Sequence, residues 1–313
     1  MELRLQAVRY EAQGIHSFEW VSPSGAELPP FTAGAHLDLH LPNGMVRSYS
    51  LANDPSERHR YVVAIQRDAK TRGGSACAHD ALRVGQALRI DGPRNHFELV
   101  ESAPHSVFIA GGIGVTPIRS MILRLLALGR SWSLVYAARD RASAAFREEF
   151  EGMASQQEVR LHFDRESGGK VLDLEAVVRG APADAHVYCC GPAPMLEAFE
   201  RATAHQPADH VHLERFSAPV PAPREGELVV ELARTGRTVA VPSGKSILDA
   251  LLDDGIEVSY SCMDGVCGSC ETRVLQGTPD HRDSVLSARE REAGDRMMIC
   301  CSRAKTPRLV LDL

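Results

Sequence analysis

The first hundred residues alternate apolar and polar side chains in short stretches, a pattern typical of β-strands that bury one face. Strands are predicted at stretches such as residues 37–41 and 61–65, which are bounded by turn residues such as those at 42–44. One helical stretch is predicted in this region, at residues 75–82. Many short strands with little helix predict an antiparallel β-barrel or sandwich over residues 1–102.

From residue 103 the pattern changes to apolar strands separated by helical spacing. Between the strands, apolar residues recur every three or four positions, as on one face of a helix. The strands are predicted at residues 107–110, 134–137, 159–163 and 186–189, and the helices at 117–128 and 142–153. This alternation predicts βαβ units, and hence a parallel sheet with right-handed crossovers, over residues 103–216.

A third region follows a proline-rich segment. Residues 217–226 hold three prolines separated by small residues, which predicts an extended linker and a domain boundary. Residues 227–313 predict two strands, a helix capped by Ser246 and ended at Gly255, a cysteine-rich loop and further short strands. A chain of 313 residues has room for two or three domains, so we predict a multidomain α+β protein.

Composition and charge exclude several classes of protein. Hydrophobic residues make up 44% of the chain and charged residues 24%, as in ordinary globular proteins. No apolar run reaches the ~18–20 residues of a membrane span, and the first residues show no signal-peptide pattern. The net charge of −6, without a long basic block, argues against nucleic acid as a partner. We expect a cytoplasmic protein and, by default, a monomer.

Five of the eight cysteines lie within the last region. Cys262, Cys267 and Cys270 form a C-x4-C-x2-C motif, and Cys300 follows after 29 intervening residues, which is the plant-type [2Fe–2S] arrangement. Structural zinc, the alternative, usually takes two C-x2–4-C pairs. Adjacent side chains of a strand face opposite sides, so only one of Cys300 and Cys301 reaches the cluster. The spacing favours Cys300, and Cys301 is expected to be a small buried side chain.

Two motifs in the first region predict a flavin site. In Arg47-Ser48-Tyr49-Ser50, strand alternation puts the cation and the phenol on one face, where they can bracket a flavin; alone, this motif fits ordinary strand packing equally well. In Arg72-Gly73-Gly74-Ser75, glycines before a helix expose N–H groups that can cradle a phosphate, the alternative being a surface turn. The residues predicted to bind flavin are Arg47, Ser48, Tyr49, Ser50, Ile65, Arg67, Arg72, Gly73, Gly74 and Ser75.

Two further motifs end strands of the α/β region, at the sheet edge where nucleotides bind. The segment Gly111-Gly112-Ile113-Gly114-Val115-Thr116-Pro117 joins the first strand to the first helix, and Cys190-Gly191-Pro192 ends a later strand. Their glycines allow close approach of a pyrophosphate or a ring, although G-x-G-x-x-G itself is absent; strand–helix packing is the alternative reason for them. Asp164 is predicted to bond an adenosine ribose, which favours NADH, and Arg139 to contact the nucleotide.

These motifs, in this order, resemble the phthalate dioxygenase reductase family, the reductase components of Rieske-type oxygenases, which include vanillate O-demethylase reductases. Residues 227–313 resemble a plant-type ferredoxin of β-grasp fold, and R-x-Y-S, G-G-x-G-x-T-P and C-G-P resemble motifs of the ferredoxin-reductase superfamily. The resemblance covers the whole chain. It implies an FMN-binding β-barrel, an NADH domain and a [2Fe–2S] domain, with FAD and NADPH as the alternative cofactors.

The resemblance also implies roles for single residues. Thr116 would face the pyridine nucleotide, Cys190 would position the nicotinamide without acting as a nucleophile, and Phe216 would lie near the flavin. The residues predicted to bind NADH are Gly112, Gly114, Thr116, Arg139, Asp164, Cys190, Gly191 and Pro192.

The implied reaction passes electrons from NADH to FMN as a hydride, and then singly through the cluster to an external oxygenase. No general acid–base pair is required. The surface at residues 260–270, in an acidic region, is expected to meet a basic patch on the oxygenase. The alternatives are a reductase for a ferredoxin or a haem protein, and a plain electron carrier.

Overall fold

The computed structural model describes residues 1–68, 73–154, 158–216 and 226–313. The chain forms two compact units, Met1–Arg215 and Phe216–Leu313. Of the predicted linker at residues 217–226, all but Gly226 lies outside the described residues. Among the described residues, no helix is both long enough and apolar enough to cross a membrane.

The first unit begins with a six-stranded antiparallel sheet and one helix. Its elements are β1 (Glu2–Ala12), β2 (Ile15–Val21), β3 (His36–His40), β4 (Val46–Ser50), β5 (Tyr61–Gln66), α1 (Gly74–Ala81) and β6 (Ala87–Arg94). The strand order is β4-β3-β6-β1-β2-β5. The two outer strands meet through an antiparallel bridge between Leu51 and Val63. Alternate side chains such as Leu37, Leu39 and Trp20 fill the interior, as the period-two pattern predicts.

The second part of this unit is a five-stranded parallel sheet flanked by helices. Its elements are β7 (Ser106–Gly111), α2 (Val115–Ala127), β8 (Trp132–Ala138), α3 (Arg147–Met153), β9 (Glu158–Phe163), α4 (Leu174–Arg179), β10 (His186–Cys190), α5 (Ala193–Thr203) and β11 (Val211–Glu214). The order β11-β10-β7-β8-β9 brings the ends of β7 and β10 side by side. The predicted parallel sheet is therefore present.

One helix in this part differs from the sequence pattern, which predicts it from residue 142. The structure has a short 3-10 turn at Arg141–Ser143 and starts α3 only at Arg147. The side chain of Asp140 accepts the N–H of Ser143 and caps that turn, and Phe146 has a left-handed φ of 56° that interrupts the helical backbone. The local capping therefore delays the start of the helix, although the apolar spacing predicts helix from residue 142.

The second unit is a mixed sheet with two helices. Its elements are β12 (Leu228–Leu232), β13 (Thr238–Val241), α6 (Ile247–Asp253), β14 (Glu271–Gln276), β15 (Pro279–Asp280), α7 (Ala288–Ala293), β16 (Arg296–Met298), β17 (Arg303–Ala304) and β18 (Arg308–Leu311). The main sheet has the order β13-β12-β18-β14-β16, with β12 and β18 parallel. Ser246 caps α6 as predicted, because its hydroxyl accepts the N–H of Asp249 at 2.9 Å.

Candidate functional site

The four predicted cluster ligands converge in the second unit. Cys262, Cys267 and Cys270 lie in the loop between α6 and β14, Cys300 follows β16, and all four are buried. Side-chain contacts join Cys262 to Cys267 and Cys300, and join Cys300 also to Cys270 and Cys301. These contacts hold the pKa of the Cys262 thiol well below its usual range. Four soft sulfur donors match the number of thiolates that hold a [2Fe–2S] cluster.

The backbone of the cysteine loop is shaped for close packing around sulfur. Asp264 donates its N–H to Cys262 Sγ at 3.3 Å, and Cys262 donates its own to Cys267 Sγ at 3.5 Å. Gly265 has a φ of +73°, and a Cβ there would lie 2.4 Å from Cys301 Sγ. A glycine is therefore required at this turn.

Cys300 and Cys301 have different surroundings. Cys300 contacts Cys262, Cys270 and Cys301, whereas the Cys301 thiol contacts Cys300 and lies 3.7 Å from the carbonyl of Met298 and 3.8 Å from the hydroxyl of Ser302. Both residues are buried. The choice of Cys300 as the fourth ligand stays a prediction from the spacing of the cysteines.

The first flavin motif lies on β4, with its side chains on alternate faces. Arg47 and Tyr49 pair with Leu39 and Leu37 of β3, and Tyr49 packs partly against the interior. Burial raises the pKa of the Tyr49 phenol to about 12, so the ring remains neutral. On the opposite face, Ser48 donates its hydroxyl to Asp38 at 2.5 Å.

The second flavin motif, at residues 72–75, contacts the first, at residues 47–50. The side chain of Arg47 lies where a Cβ on Gly74 would fall, with Cγ 2.8 Å from that position, so the arginine packs on the first residue of α1. Gly73 has a φ of +107°. Ser75 accepts the N–H of Asp68 at 3.2 Å. Arg72 lies outside the described residues.

Ile65 on β5 and Arg67 just after it, both predicted to bind flavin, make hydrogen bonds to α1. The carbonyl of Ile65 is bonded to His79 Nε2 at 2.8 Å. Arg67 makes two hydrogen bonds, of 2.5 and 2.9 Å, to the carboxylate of Asp80 on α1. These contacts fasten α1 to β5, so they position the glycine turn whether or not Arg67 itself touches a flavin.

The two nucleotide motifs pack directly against each other. A Cβ on Gly114 would lie 2.2 Å from the carbonyl oxygen of Cys190, and one on Gly191 would lie 3.1 Å from Gly111 Cα. Thr116 is buried and donates its hydroxyl to the carbonyl of Ile113 at 3.0 Å. Two of the glycines therefore have a packing role at the shared carboxyl edge of β7 and β10.

Arg139 and Asp164 follow β8 and β9 at this same edge. Asp164 donates its N–H to the carbonyl of Ala138 at 3.1 Å, and its carboxylate lies 3.4 Å from His162 Nε2. Both predicted residues are thus brought to the side of the sheet that carries the glycine motifs. Phe216, the first residue of the second unit, has 43% of its surface exposed.

Sequence reasoning missed Glu214, the last residue of β11. Its carboxylate Oε2 lies 3.5 Å from the Ser50 hydroxyl and 3.9 Å from Cys190 Sγ, so it connects the flavin and nucleotide motifs. Burial raises its pKa to about 8. Burial and this carboxylate also raise the pKa of the Cys190 thiol well above its usual value. The one signal in the sequence is an acidic residue that ends an apolar strand.

Comparison with known proteins assigns the nucleotide and cluster regions. A family described as the oxidoreductase NAD-binding domain matches residues 108–201, and one described as the 2Fe-2S iron-sulfur cluster binding domain matches residues 230–305. Over 313 residues the chain is 54% identical to the phenoxybenzoate dioxygenase subunit beta of Ectopseudomonas oleovorans, covering 100% of this chain and 97% of that protein.

Two solved structures resemble the whole chain. One is a phthalate dioxygenase reductase, described as a modular structure for electron transfer from pyridine nucleotides to [2Fe–2S]; it is 41% identical, with 100% of this chain and 98% of that chain covered and a TM-score of 0.74. The other is an intact type IV self-sufficient cytochrome P450 monooxygenase. It is 38% identical, and the match covers 100% of this chain and 41% of that chain with a TM-score of 0.91.

A pyridine-nucleotide domain and a [2Fe–2S] domain on one chain define an NADH-dependent iron–sulfur flavoprotein oxidoreductase, with NADH, FMN and a [2Fe–2S] cluster as its redox groups. Full-length identity then settles the family. The chain belongs to the phthalate dioxygenase reductase family.

Proposed function

We propose that this reductase delivers electrons from NADH, through FMN and the [2Fe–2S] cluster, to the terminal component of a Rieske-type oxygenase. The observation that carries this proposal is the combination on one chain of the joined glycine motifs, the β4–α1 motifs and four buried cysteines. The 54% identical relative is named as a subunit of a dioxygenase, which supports an oxygenase as acceptor.

The proposed nucleotide site lies at the carboxyl edge of the parallel sheet. The open glycine Gly112 lets a pyrophosphate approach the start of α2, and Gly114 and Gly191 keep the two loops close. The full set is Gly112, Gly114, Thr116, Arg139, Asp164, Cys190, Gly191 and Pro192. NADH supplies two electrons at a time, and this edge holds and orients it.

The proposed FMN site lies between β4 and α1. FMN can accept two electrons together and release them one at a time. Arg47 and the N–H groups at Gly73 and Gly74 are suited to a phosphate, and the neutral Tyr49 ring is suited to the flavin plane. The full set is Arg47, Ser48, Tyr49, Ser50, Ile65, Arg67, Arg72, Gly73, Gly74, Ser75 and Phe216.

Glu214 completes the proposed site from the side of β11. With a pKa of about 8 it holds a proton at neutral pH, and its partners are Ser50 from the flavin motif and Cys190 from the nucleotide motif. A neutral carboxyl at this position avoids a buried negative charge beside two electron-rich cofactors. We assign it a positioning role between them.

The proposed cluster ligands are Cys262, Cys267, Cys270 and Cys300. The cluster moves one electron at a time. The exposed side chains of Tyr260 and Met263 flank the first ligand, and the acidic residue Asp264 follows Met263 in the chain. We propose this surface, within residues 260–270, as the docking face for a basic patch on the oxygenase. Turnover with the oxygenase should therefore fall as salt is raised, and salt-independent turnover would contradict this.

The proposal divides the chain into an FMN domain at 1–102, an NADH domain at 103–216, a linker at 217–226 and a ferredoxin domain at 227–313. The bridge between the outer strands β4 and β5 supports a β-barrel for the first domain. The mixed sheet with α6 supports a β-grasp fold for the last. We further propose a cytoplasmic monomer, since the eight cysteines are unpaired thiols and NADH is an intracellular reductant.

The test is the visible spectrum of the purified protein under anaerobic conditions. The proposal expects flavin and iron–sulfur bands that both bleach when NADH is added. Bleaching of flavin alone would show that the cluster is outside the electron path. A colourless protein would contradict the proposal altogether.

A haem monooxygenase is a second candidate acceptor. The favouring observation is that the chain matches its full length within a self-sufficient cytochrome P450. Comparing turnover with a purified Rieske oxygenase and with a purified P450, at equal acceptor concentration, decides between them. Faster turnover with the P450 would reject the Rieske assignment.

A further inference from the structure

Behind the cysteine loop lies a buried carboxylate that neither the motifs nor the proposed electron path uses. The Asp283 side chain is completely buried. Its carboxylate Oδ2 accepts the N–H groups of Val285 and Leu286 at 3.1 and 2.8 Å. A buried carboxylate is costly unless it is satisfied, and these two bonds fold residues 283–286 into a tight turn.

The turn contacts both parts of the ligand set. On one side, Ser284 donates its N–H to the carbonyl of Gly265, in the middle of the cysteine loop, at 2.8 Å. On the other side, the hydroxyl of Ser302 donates to Asp283 Oδ1 at 3.4 Å, two residues after Cys300. Asp283 therefore lies between the segment that carries three ligand cysteines and the segment that carries the fourth.

Arg291, which lies on α7, is hydrogen-bonded to the same turn. Its guanidinium donates to the carbonyls of Asp283 at 2.6 Å and Leu286 at 3.0 Å, and its Nη2 lies 3.8 Å from Asp283 Oδ2. The other ionisable groups beside the carboxylate are His281, with Nδ1 at 3.9 Å from Oδ1, and the thiol of Cys301. Arg291 is therefore a charged partner of the carboxylate and is itself partly exposed to solvent.

We propose that Asp283 and Arg291 are positioning residues that set the reduction potential of the cluster in opposite directions. Reduction adds one negative charge, and a fixed carboxylate behind the loop opposes that addition, because charges interact strongly in a poorly solvated interior. The positive charge of the Arg291 guanidinium opposes the effect of the Asp283 negative charge and therefore favours reduction. Charge and hydrogen bonding around the ligands are established levers on cluster potential. This inference rests on the proposed ligand set.

The test is an EPR-monitored redox titration of the full-length holoprotein. In Asp283→Asn, the amide retains an oxygen acceptor for the two N–H groups while the charge is removed. We expect the potential to rise by an amount equal to about a tenfold change in the one-electron equilibrium constant, which is about 59 mV. Arg291→Met should lower the potential, and Arg291→Lys, which retains the charge, should leave it near that of the wild type.

The matched control is Asp280→Asn, which removes the same charge from a half-exposed side chain three residues earlier. We expect less than a third of the Asp283→Asn shift there. Equal shifts in the two Asn variants, or a rise in Arg291→Met, would overturn the inference. If Asp283→Asn does not incorporate iron, the two Arg291 variants decide: the potential should fall in Arg291→Met and stay near that of the wild type in Arg291→Lys. A wild-type protein without a cluster EPR signal would instead refute the ligand set, and so the proposed function.

Discussion

The cluster site and the nucleotide–flavin site are built in different ways. Three cluster ligands come from nine consecutive residues, whereas the other site combines β4, α1, β7, β10 and β11. The cysteine loop is therefore visible in the spacing of residue types alone. The second site exists only after the strands pair, and its half-buried acid, Glu214, lies 164 residues from Ser50 and 24 from Cys190 in the sequence. A site is therefore easier to predict from the sequence when its residues lie close together in the chain.

The largest expected effect concerns the local site. Cys262→Ser should abolish cluster incorporation and reduce NADH-dependent cytochrome c reduction by at least ~100-fold, because a serine oxygen is a poor substitute for a soft thiolate. NADH should still bleach the flavin band. Iron analysis, EPR and cytochrome c assays measure the effect.

Cys301→Ala is the matched control for that variant. Its thiol contacts Met298 and Ser302 and is not assigned as a ligand. We expect a normal iron content and a modest loss of stability. Loss of iron in Cys301→Ala with retention in Cys300→Ala would reverse the assignment of the fourth ligand.

The next largest effect concerns the assembled site. Gly114→Ala places a Cβ where the Cys190 carbonyl oxygen lies 2.2 Å away, so the two nucleotide loops must separate. A displacement of about 1 Å can cost ~100-fold in rate. We expect a fall of that order in NADH-dependent flavin reduction, measured by stopped-flow absorbance, with the iron content unchanged. Gly152→Ala, which meets no atom within 4 Å, is the control and should reduce flavin normally.

Glu214 allows a pH test of the same site. Its folded pKa of about 8 exceeds the ordinary value of 4.5, so its contribution to stability is complete below pH 4.5 and is lost as pH rises towards 8. The loss amounts to roughly 3–5 kcal/mol at about 1.36 kcal/mol per unit of pKa shift. Glu214→Gln stays neutral, so its advantage in thermal midpoint over wild type should grow between pH 5 and pH 8.

The surface variant Glu200→Gln is the control for this pH series, because Glu200 is about half exposed and pairs with Arg215. Its difference from wild type should not change with pH to a comparable extent. A constant difference between Glu214→Gln and wild type across the range would show that Glu214 is ionised throughout.

The smallest expected effect is at Arg67. Because its guanidinium is bonded to Asp80 and both side chains are about half exposed, Arg67→Gln should weaken FMN binding by about threefold, the scale of a surface pair. Fluorescence titration of the flavin-free protein with FMN measures this. Asp80→Asn should give the same weakening if Arg67 acts through α1, whereas a loss only in Arg67→Gln would indicate direct flavin contact.

The sequence predicted the types of element well because burial imposes period two on strands such as β1 and β6, and because strands alternate with helices over residues 106–214. It predicted the helix at α3 too early, since the Asp140 cap and the left-handed Phe146 are effects of local geometry. Glu214 and the Asp283 turn were missed for a different reason. Their importance comes from burial beside distant residues, and a carboxylate in a sequence gives no indication of its burial.

The central claim is that electrons from NADH pass through FMN to the cluster on one chain. An anaerobic titration of the holoprotein with NADH, followed by absorbance and EPR, tests it most directly. Two electrons for FMN and one for the cluster predict complete bleaching at about one and a half NADH per chain, with a cluster EPR signal at the end. Bleaching that stops at one NADH per chain with no EPR signal would contradict the account.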